Sequence, residues 1–215
     1  MTGALIVTGT DTGIGKTVIA AGLAAALGTH YWKPIQAGTE EGTDSLTASD
    51  LGVSAAHILP ERYRLAMPAS PHLAAEAEGL MLDPAQLSLP EQRPLIVEGA
   101  GGLMVPIRRD PPWLMIDQFA SWDVPVLLVA RTALGTINHS LLSIEALKAR
   151  SMRIAGLIFV GDAYPDNEAI ITSVTGVPSF GRLPSLDPLD AATLADAIRS
   201  KIDLAAISAA MEKGA

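Results

Sequence analysis

The chain has 215 residues, enough for one domain with a substantial core, and 23 Asp+Glu against 15 Lys+Arg give it a formal net charge of −8. That charge argues against general nucleic-acid or anionic-membrane binding, and the lack of any cysteine excludes disulfides, thiolate metal sites and cysteine nucleophiles. Hydrophobic residues make up 49% of the chain and aromatics only 4%, so the core is mostly Ala, Leu, Ile and Val, as suits helices packed on a parallel sheet.

The first apolar run, Leu5–Val7, leads into Thr8-Gly9-Thr10-Asp11-Thr12-Gly13-Ile14-Gly15-Lys16-Thr17, and an Ala- and Leu-rich helical segment is expected from Lys16 to Leu27. No basic and apolar leader pattern precedes that run, and no apolar run approaches ~18 residues, so the expectation is a cytoplasmic protein with neither signal peptide nor membrane span. Strand, glycine-rich turn and helix, closing on Gly15-Lys16-Thr17, form the context of a phosphate loop. Its glycines let the backbone curl around a polyphosphate, and the helix N-terminus points free N–H groups at it. Lys16 adds a cation, and Thr17 a hydroxyl for Mg²⁺. The loop is a variant. The usual glycine five residues before Gly15 is Thr10 here, and the glycine stands one place earlier, at Gly9.

Further strands are expected at Tyr31–Ile35, Leu95–Val97, Val124–Val129 and Ile154–Val160, with a last short one near Ser179–Leu183. Helical segments separate most of them. The pattern predicts an α/β chain: a P-loop NTPase-like open, mostly parallel sheet with helices on both faces, forming a single domain over 1–215. Lys33 near the end of the second strand reads either as a lysine snorkelling at a sheet edge or, at the carboxyl end of a strand, as part of the ligand crevice. The stretch 38–94 is the least regular, with prolines at Pro60, Pro68, Pro71, Pro84, Pro90 and Pro94. Within it Thr43-Asp44-Ser45-Leu46 looks like a helix start, with Asp44 as a common N-cap. Ser70-Pro71 reads as an N-cap followed by proline at the first helical position. His30, His57 and His72 read as packed or solvated residues.

The run Leu95-Ile96-Val97 ends in Glu98-Gly99-Ala100-Gly101-Gly102: a buried strand, a carboxylate, then glycines that permit close approach. Phosphate-loop NTPases hold Mg²⁺ with such a strand-end acid, usually Asp; Glu98 is one methylene longer and does the same work directly or through water. Arg108-Arg109-Asp110-Pro111-Pro112 reads as a solvated turn. A helix carrying Ile137, Leu141, Ile144 and Leu147 on one face begins at Gly135-Thr136. That start is an ordinary helix end or a seat for a substrate carboxylate. Asp187-Pro188-Leu189-Asp190 reads as N-cap, proline and acidic first turn of the C-terminal helix.

Together the motifs Val7 to Thr17, Lys33-Pro34-Ile35-Gln36, Asp44, Ser70-Pro71-His72, Val97 to Gly102 and Leu134 to His139 resemble the ATP-dependent dethiobiotin synthetases of biotin synthesis, in family order and over most of the chain. The resemblance implies a homodimeric ligase that uses Mg²⁺ and ATP to join CO₂ to 7,8-diaminononanoate. It implies that Gly13, Ile14, Gly15, Lys16, Thr17 and Val18 cradle the phosphates and that Thr17, Asp44 and Glu98 hold Mg²⁺. Lys33 and Lys16 would be catalytic, Gly99, Ala100 and Gly101 would line the nucleotide, and Ala37 would lie beside the diamine. Gly135, Thr136 and Asn138 would take the substrate carboxylate from the neighbouring subunit. The partners implied are small molecules and a second copy of the chain, with no nucleic acid and no membrane.

Three positions depart from the family pattern. Ala37 stands where Ser or Thr often touches the diamine, and Gly13 replaces an acidic residue. The Asn-Asp that reads adenine is here Val160-Gly161-Asp162, leaving the base to backbone groups near Gly161 and Pro184, beside Asp162, or to loose selection. Two rivals share the ATP fold. A partitioning-type ATPase carries a signature lysine five residues before the invariant one, where this chain has Asp11. An amidating synthetase of cobalamin type appends a glutaminase domain with a nucleophilic cysteine, for which this chain has neither length nor cysteine.

Overall fold

Period-two alternation in the first strand, β1 (Ala4–Gly9), settles how the chain packs. All six of its residues are buried, with Leu5 and Val7 in one apolar cluster and Ala4 and Ile6 in another, as a strand covered on both faces requires. The structure, a computed structural model, describes residues 3–40 and 42–212. After β1 come α1 (Lys16–Leu27), β2 (His30–Trp32), β3 (Ile35–Ala37), α2 (Asp44–Asp50), β4 (Ile58–Leu59), β5 (Tyr63–Leu65) and α3 (Pro71–Ala77). Then follow β6 (Leu95–Glu98), β7 (Pro106–Arg108), β8 (Trp113–Leu114), α4 (Met115–Trp122), β9 (Val126–Arg131) and α5 (Thr136–Lys148). The last elements are β10 (Ile154–Val160), α6 (Pro165–Thr175), β11 (Ser179–Leu183), α7 (Ala191–Lys201) and α8 (Leu204–Glu212).

Seven strands form one sheet in the order β11-β10-β9-β1-β6-β2-β4, and every pairing in it is parallel. α1, α7 and α8 pack on the face that carries Leu5, Val7, Tyr31 and Ile96. α3 and α4 cover the opposite face, and α5 and α6 cover it under β9 and β10. This is the P-loop NTPase-like arrangement expected from the strand and helix pattern. The order reverses between β1 and its two neighbours, β6 and β9, so the crevice at the carboxyl end of β1 is the switch point where ligands bind in such sheets. α1 is Ala- and Leu-rich and ends on Gly28 in the left-handed conformation, a common helix stop. Gly22 lets it approach α7, since a Cβ there would lie 2.7 Å from Ile198 Cγ1.

The expected strand at Tyr31–Ile35 is in fact two. β2 joins the main sheet, while β3 pairs with β5 in a separate two-stranded sheet. Lys33-Pro34 makes the break because proline lacks the N–H a ladder needs. The C-terminal helix starts later than expected, at Ala191 with Asp190 as its cap. Asp190 Oδ1 accepts from Thr193 N at 2.8 Å and Thr193 Oγ1 accepts from Asp190 N at 3.2 Å, a reciprocal pair. That helix is also divided: Ile202 bridges to Gly181 and Asp203 N donates to Phe180 O, separating α7 from α8. Of the α5 face expected at Ile137, Leu141, Ile144 and Leu147, Ile144 and Leu147 are buried and Ile137 packs half-buried against the core, while in the first turns the buried positions are Thr136 and Ser140.

Candidate active site

The turn after β1 is closed by Gly13 and Gly15, both at positive φ (66° and 98°), a conformation that side chains disfavour. Gly15 is the N-cap of α1, with no side chain across it, so the first N–H groups of the helix are open to an anion. Lys16 Nζ lies back along the loop and donates to Asp11 O at 2.7 Å. The displaced glycine now has its reason. A Cβ on Gly9 would lie 2.3 Å from Ile14 Cδ1 and 3.1 Å from Lys16 Cγ, so Gly9 makes room for the loop to fold back over the strand end.

Register brings the other residues to the same place. Trp32 pairs with Val97, so Lys33 and Glu98, the next residues, come level. Tyr31 and Ile96 face α1; by alternation Lys33 and Glu98 face it too. Lys33 Nζ donates to Glu98 Oε1 at 2.8 Å and Gly99 O at 3.1 Å, and lies 2.6 Å from Asp44 Oδ2. Thr17 Oγ1 is 2.8 Å from Glu98 Oε1 and 3.1 Å from Asp44 Oδ1. Lys33 and Glu98 are buried, with side chains 5% and 1% exposed, so each charge is in place only because the other is. Lys33 therefore belongs to the crevice, not to a solvated sheet edge. Asp44 is not the cap of α2: Thr43 is, accepting from Leu46 N, which frees the Asp44 carboxylate for the crevice.

Electrostatics follow the geometry. Burial alone lowers the pKa of Lys33, but Glu98 and Asp44 more than offset it and hold the ammonium above the ordinary lysine value. Burial, then repulsion from Lys33, lowers Lys16 to about 8, against the pull of Glu98, Asp44 and Asp11. Burial raises Asp44, yet Lys33, the Thr17 hydroxyl and Lys16 bring it below the usual carboxylate value. A cleft of about 690 Å³ opens from this cluster, running from Gly13 and Gly15 past Lys16 and Glu98 to Gln36, Ala37 and Ser70.

A family model described as an AAA domain matches residues 3–193. The ATP-dependent dethiobiotin synthetase BioD of Novosphingobium aromaticivorans is 56% identical over 195 residues, covering 90% of this chain and 94% of that one. The protein of the same name from Rhodopseudomonas palustris strain TIE-1 is 57% identical, covering 90% and 92%. The chain belongs to the ATP-dependent dethiobiotin synthetase family. It is an enzyme, and the synthetase family's ATP use fits the phosphate loop at the head of its sheet. Among solved structures, the cell division ATPase MinD of Pyrococcus furiosus aligns at a TM-score of 0.59 and 16% identity, covering all of both chains. A ParA family ATPase from Chlorobium tepidum aligns at 0.56 and 13%, covering 100% of this chain and 97% of that one. Those likenesses are of fold alone.

Of the residues singled out from sequence, Gly13, Gly15, Lys16, Thr17, Val18, Lys33, Ala37, Asp44, Glu98, Ala100 and Gly101 all line the one cleft. Ile14 is buried beneath the loop, and Gly99 contributes its carbonyl to Lys33. Gly135, Thr136 and Asn138 lie outside that cleft, at the start of α5, beside a fully exposed Leu134. Gly161, expected to lie near the base, already makes two backbone hydrogen bonds. Its N–H donates to Leu183 O at 2.9 Å and its carbonyl accepts from Arg182 Nη1 at 2.8 Å. Asp162 is exposed and Pro184 half-buried, and neither lines the cleft.

Sequence reading missed three supporting residues. Gln36 accepts from Asp44 N at 2.9 Å and donates to the carbonyls of Ala37 and Gly38, tying the start of α2 to the cleft wall. Arg131 donates to Gly13 O, reaching a loop position where a side chain is absent. Tyr31 donates to Glu98. Two of them left a signal: Gln36 closes the motif Lys33-Pro34-Ile35-Gln36, and Tyr31 stands two residues before Lys33 on the same strand face.

Proposed function

We propose that this synthetase carboxylates 7,8-diaminononanoate with CO₂ and closes the ureido ring of dethiobiotin, converting ATP to ADP and phosphate, as one catalytic domain acting on small molecules in the cytoplasm. One amine adds to CO₂ and loses a proton, giving a carbamate. A carbamate oxygen attacks the γ-phosphorus as the bond to the β-phosphate oxygen breaks, giving a carbamic-phosphoric anhydride and ADP. The second amine attacks the carbonyl carbon, closes the five-membered ring, and expels phosphate as the C–O bond to it breaks, and the amine loses its proton to leave the neutral urea.

The observation that carries this reading is the buried Lys33 ammonium, held between Glu98 and Asp44 beside the phosphate loop. Carbamate and phosphoryl group are both anionic, so their approach needs a fixed positive charge in a site of low dielectric. Lys33 meets that need, and Lys16 binds the β/γ oxygens while residues 13–18 cradle them, in a reaction governed by positioning and electrostatics. Thr17, Asp44 and Glu98 are the residues that would hold Mg²⁺. Their donor set fits: a hydroxyl and two carboxylates meet at Thr17 Oγ1, all hard oxygens, and such sites take one or two carboxylates plus substrate phosphates. When bound, the ion supplies charge neutralisation across the transferring phosphate oxygens.

The diamine lies toward Gln36, Ala37 and Ser70, with Ala37 contributing surface rather than a hydroxyl. Its carboxylate is taken by Gly135, Thr136 and Asn138 of a second copy in a homodimer. Support for this comes from the position of the α5 start, outside its own cleft next to exposed Leu134, from an N-cap, Gly135, with no side chain bonded across it, and from the buried Thr136 hydroxyl, which has no hydrogen-bond partner among the described residues. Phosphate release from ATP is expected to require diaminononanoate and bicarbonate together. Release without them, or only with a protein partner, overturns the proposal in favour of a partitioning-type ATPase.

A further inference from the structure

Glu98 occupies a strand end where the acid is usually Asp, and its extra methylene adds a rotatable bond whose freedom must be removed before the carboxylate is held in one place. Both oxygens are engaged. Oε1 accepts from Thr17 Oγ1 and from Lys33 Nζ, each at 2.8 Å, and Oε2 accepts from Tyr31 OH at 2.7 Å. Tyr31 and Glu98 are both fully buried, and among the described residues Tyr31 is the sole donor to Oε2. The sheet register explains the reach. Tyr31 pairs with Ile96, so its phenol extends along the same face to the residue two places on.

We infer that Tyr31 is a positioning residue for the acidic end of the site. Its hydroxyl divides the labour of the two oxygens, holding Oε2 on the protein side and leaving Oε1 for the Thr17 side. That bond restrains the longer carboxylate where a strand-end Asp would need no such help. Tyr31 touches neither substrate nor phosphate in this role and acts only through Glu98. The inference rests on the proposed reading of Glu98 as a metal ligand.

The test uses the full chain with ADP and Mn²⁺ as the probe, free Mn²⁺ being read by electron paramagnetic resonance, so that metal affinity is measured without turnover. Tyr31→Phe is expected to weaken Mn²⁺ binding about tenfold, the lower end of what an outer partner contributes. The KM for diaminononanoate in the full reaction is expected to stay within about twofold of wild type. In the Glu98→Gln background the same substitution is expected to do nothing further. A second arm leaves Tyr31 intact: Glu98→Asp draws the carboxylate back from the phenol by one C–C bond, about 1.5 Å, and is expected to weaken Mn²⁺ binding even though Asp is the usual residue there. Unchanged binding in Tyr31→Phe, an equal effect in the Glu98→Gln background, or wild-type binding in Glu98→Asp overturns the role of Tyr31. Unchanged binding in Glu98→Gln overturns the ligand reading itself.

Discussion

Lys33 and Glu98 are 65 residues apart in the chain and 2.8 Å apart in space, because the pairing of Trp32 with Val97 delivers them side by side at the carboxyl ends of neighbouring parallel strands. The pair is buried, so it stabilises the site only while both members are present.

Lys33→Ala is expected to lower kcat by on the order of 100-fold or more, the scale of losing one preorganised charge stabiliser. It also leaves Glu98 buried beside one fewer cation, and breaking a buried pair costs about 3–5 kcal/mol, so the melting temperature is expected to fall as well. Kinetics at saturating ATP and diaminononanoate, below the new melting point, separate the two effects. A kcat close to wild type would refute the role.

Gly9→Ala is a test of packing under the phosphate loop. The added Cβ meets Ile14 and the stem of Lys16, and forcing a methyl into a filled site costs about 1–3 kcal/mol. Because the displaced atoms belong to the loop itself, ATP binding is expected to weaken more than diaminononanoate binding. Calorimetric titration with each ligand would show it; equal losses for both would contradict it.

Lys16 links the site to pH. Its pKa in the free enzyme lies at about 8, and the protonated ammonium is the form that attracts phosphate. The sign is then settled: kcat/KM for ATP, which reports the free enzyme, is expected to hold level below pH about 8 and to decline above it as Lys16 loses its proton. A profile with no break in that region would rule out Lys16 as the titrating group.

The loop after β10 bears on base choice. The Gly161 N–H is taken by Leu183 O, Arg182 occupies one lone pair of the Gly161 carbonyl, and Val160-Gly161-Asp162 carries no Asn, so few groups there are left to hydrogen-bond a base. Strong rejection of an analogue needs such bonds. ATP is therefore expected to exceed CTP and GTP by less than about 100-fold in kcat/KM. Discrimination well beyond that would point to a base-reading group elsewhere.

Much of this was legible along the chain. The phosphate loop, the helix after it and the acid at the end of β6 are local patterns, set by residues next to one another. Asp44 was only half legible. Its place in a helix start could be read, but a first-turn aspartate and a cap look alike until Thr43 is seen to accept from Leu46. The break at Lys33-Pro34 was hidden because both halves read as apolar strand, and the proline counts against pairing only once each half has a different neighbour.

The amino-acid sequence by itself determined the phosphate-binding turn, the parallel α/β plan and the family, since glycine placement, hydrophobic period and contiguous motifs are properties of short stretches. Only the tertiary structure decided that Lys33, Asp44 and Glu98 share one point with Thr17, that Tyr31 donates to Glu98, and that the Gly161 N–H is taken by Leu183. Those facts depend on strand register and helix placement between residues that lie far apart in the chain, and register is set by the packed core rather than by any local pattern.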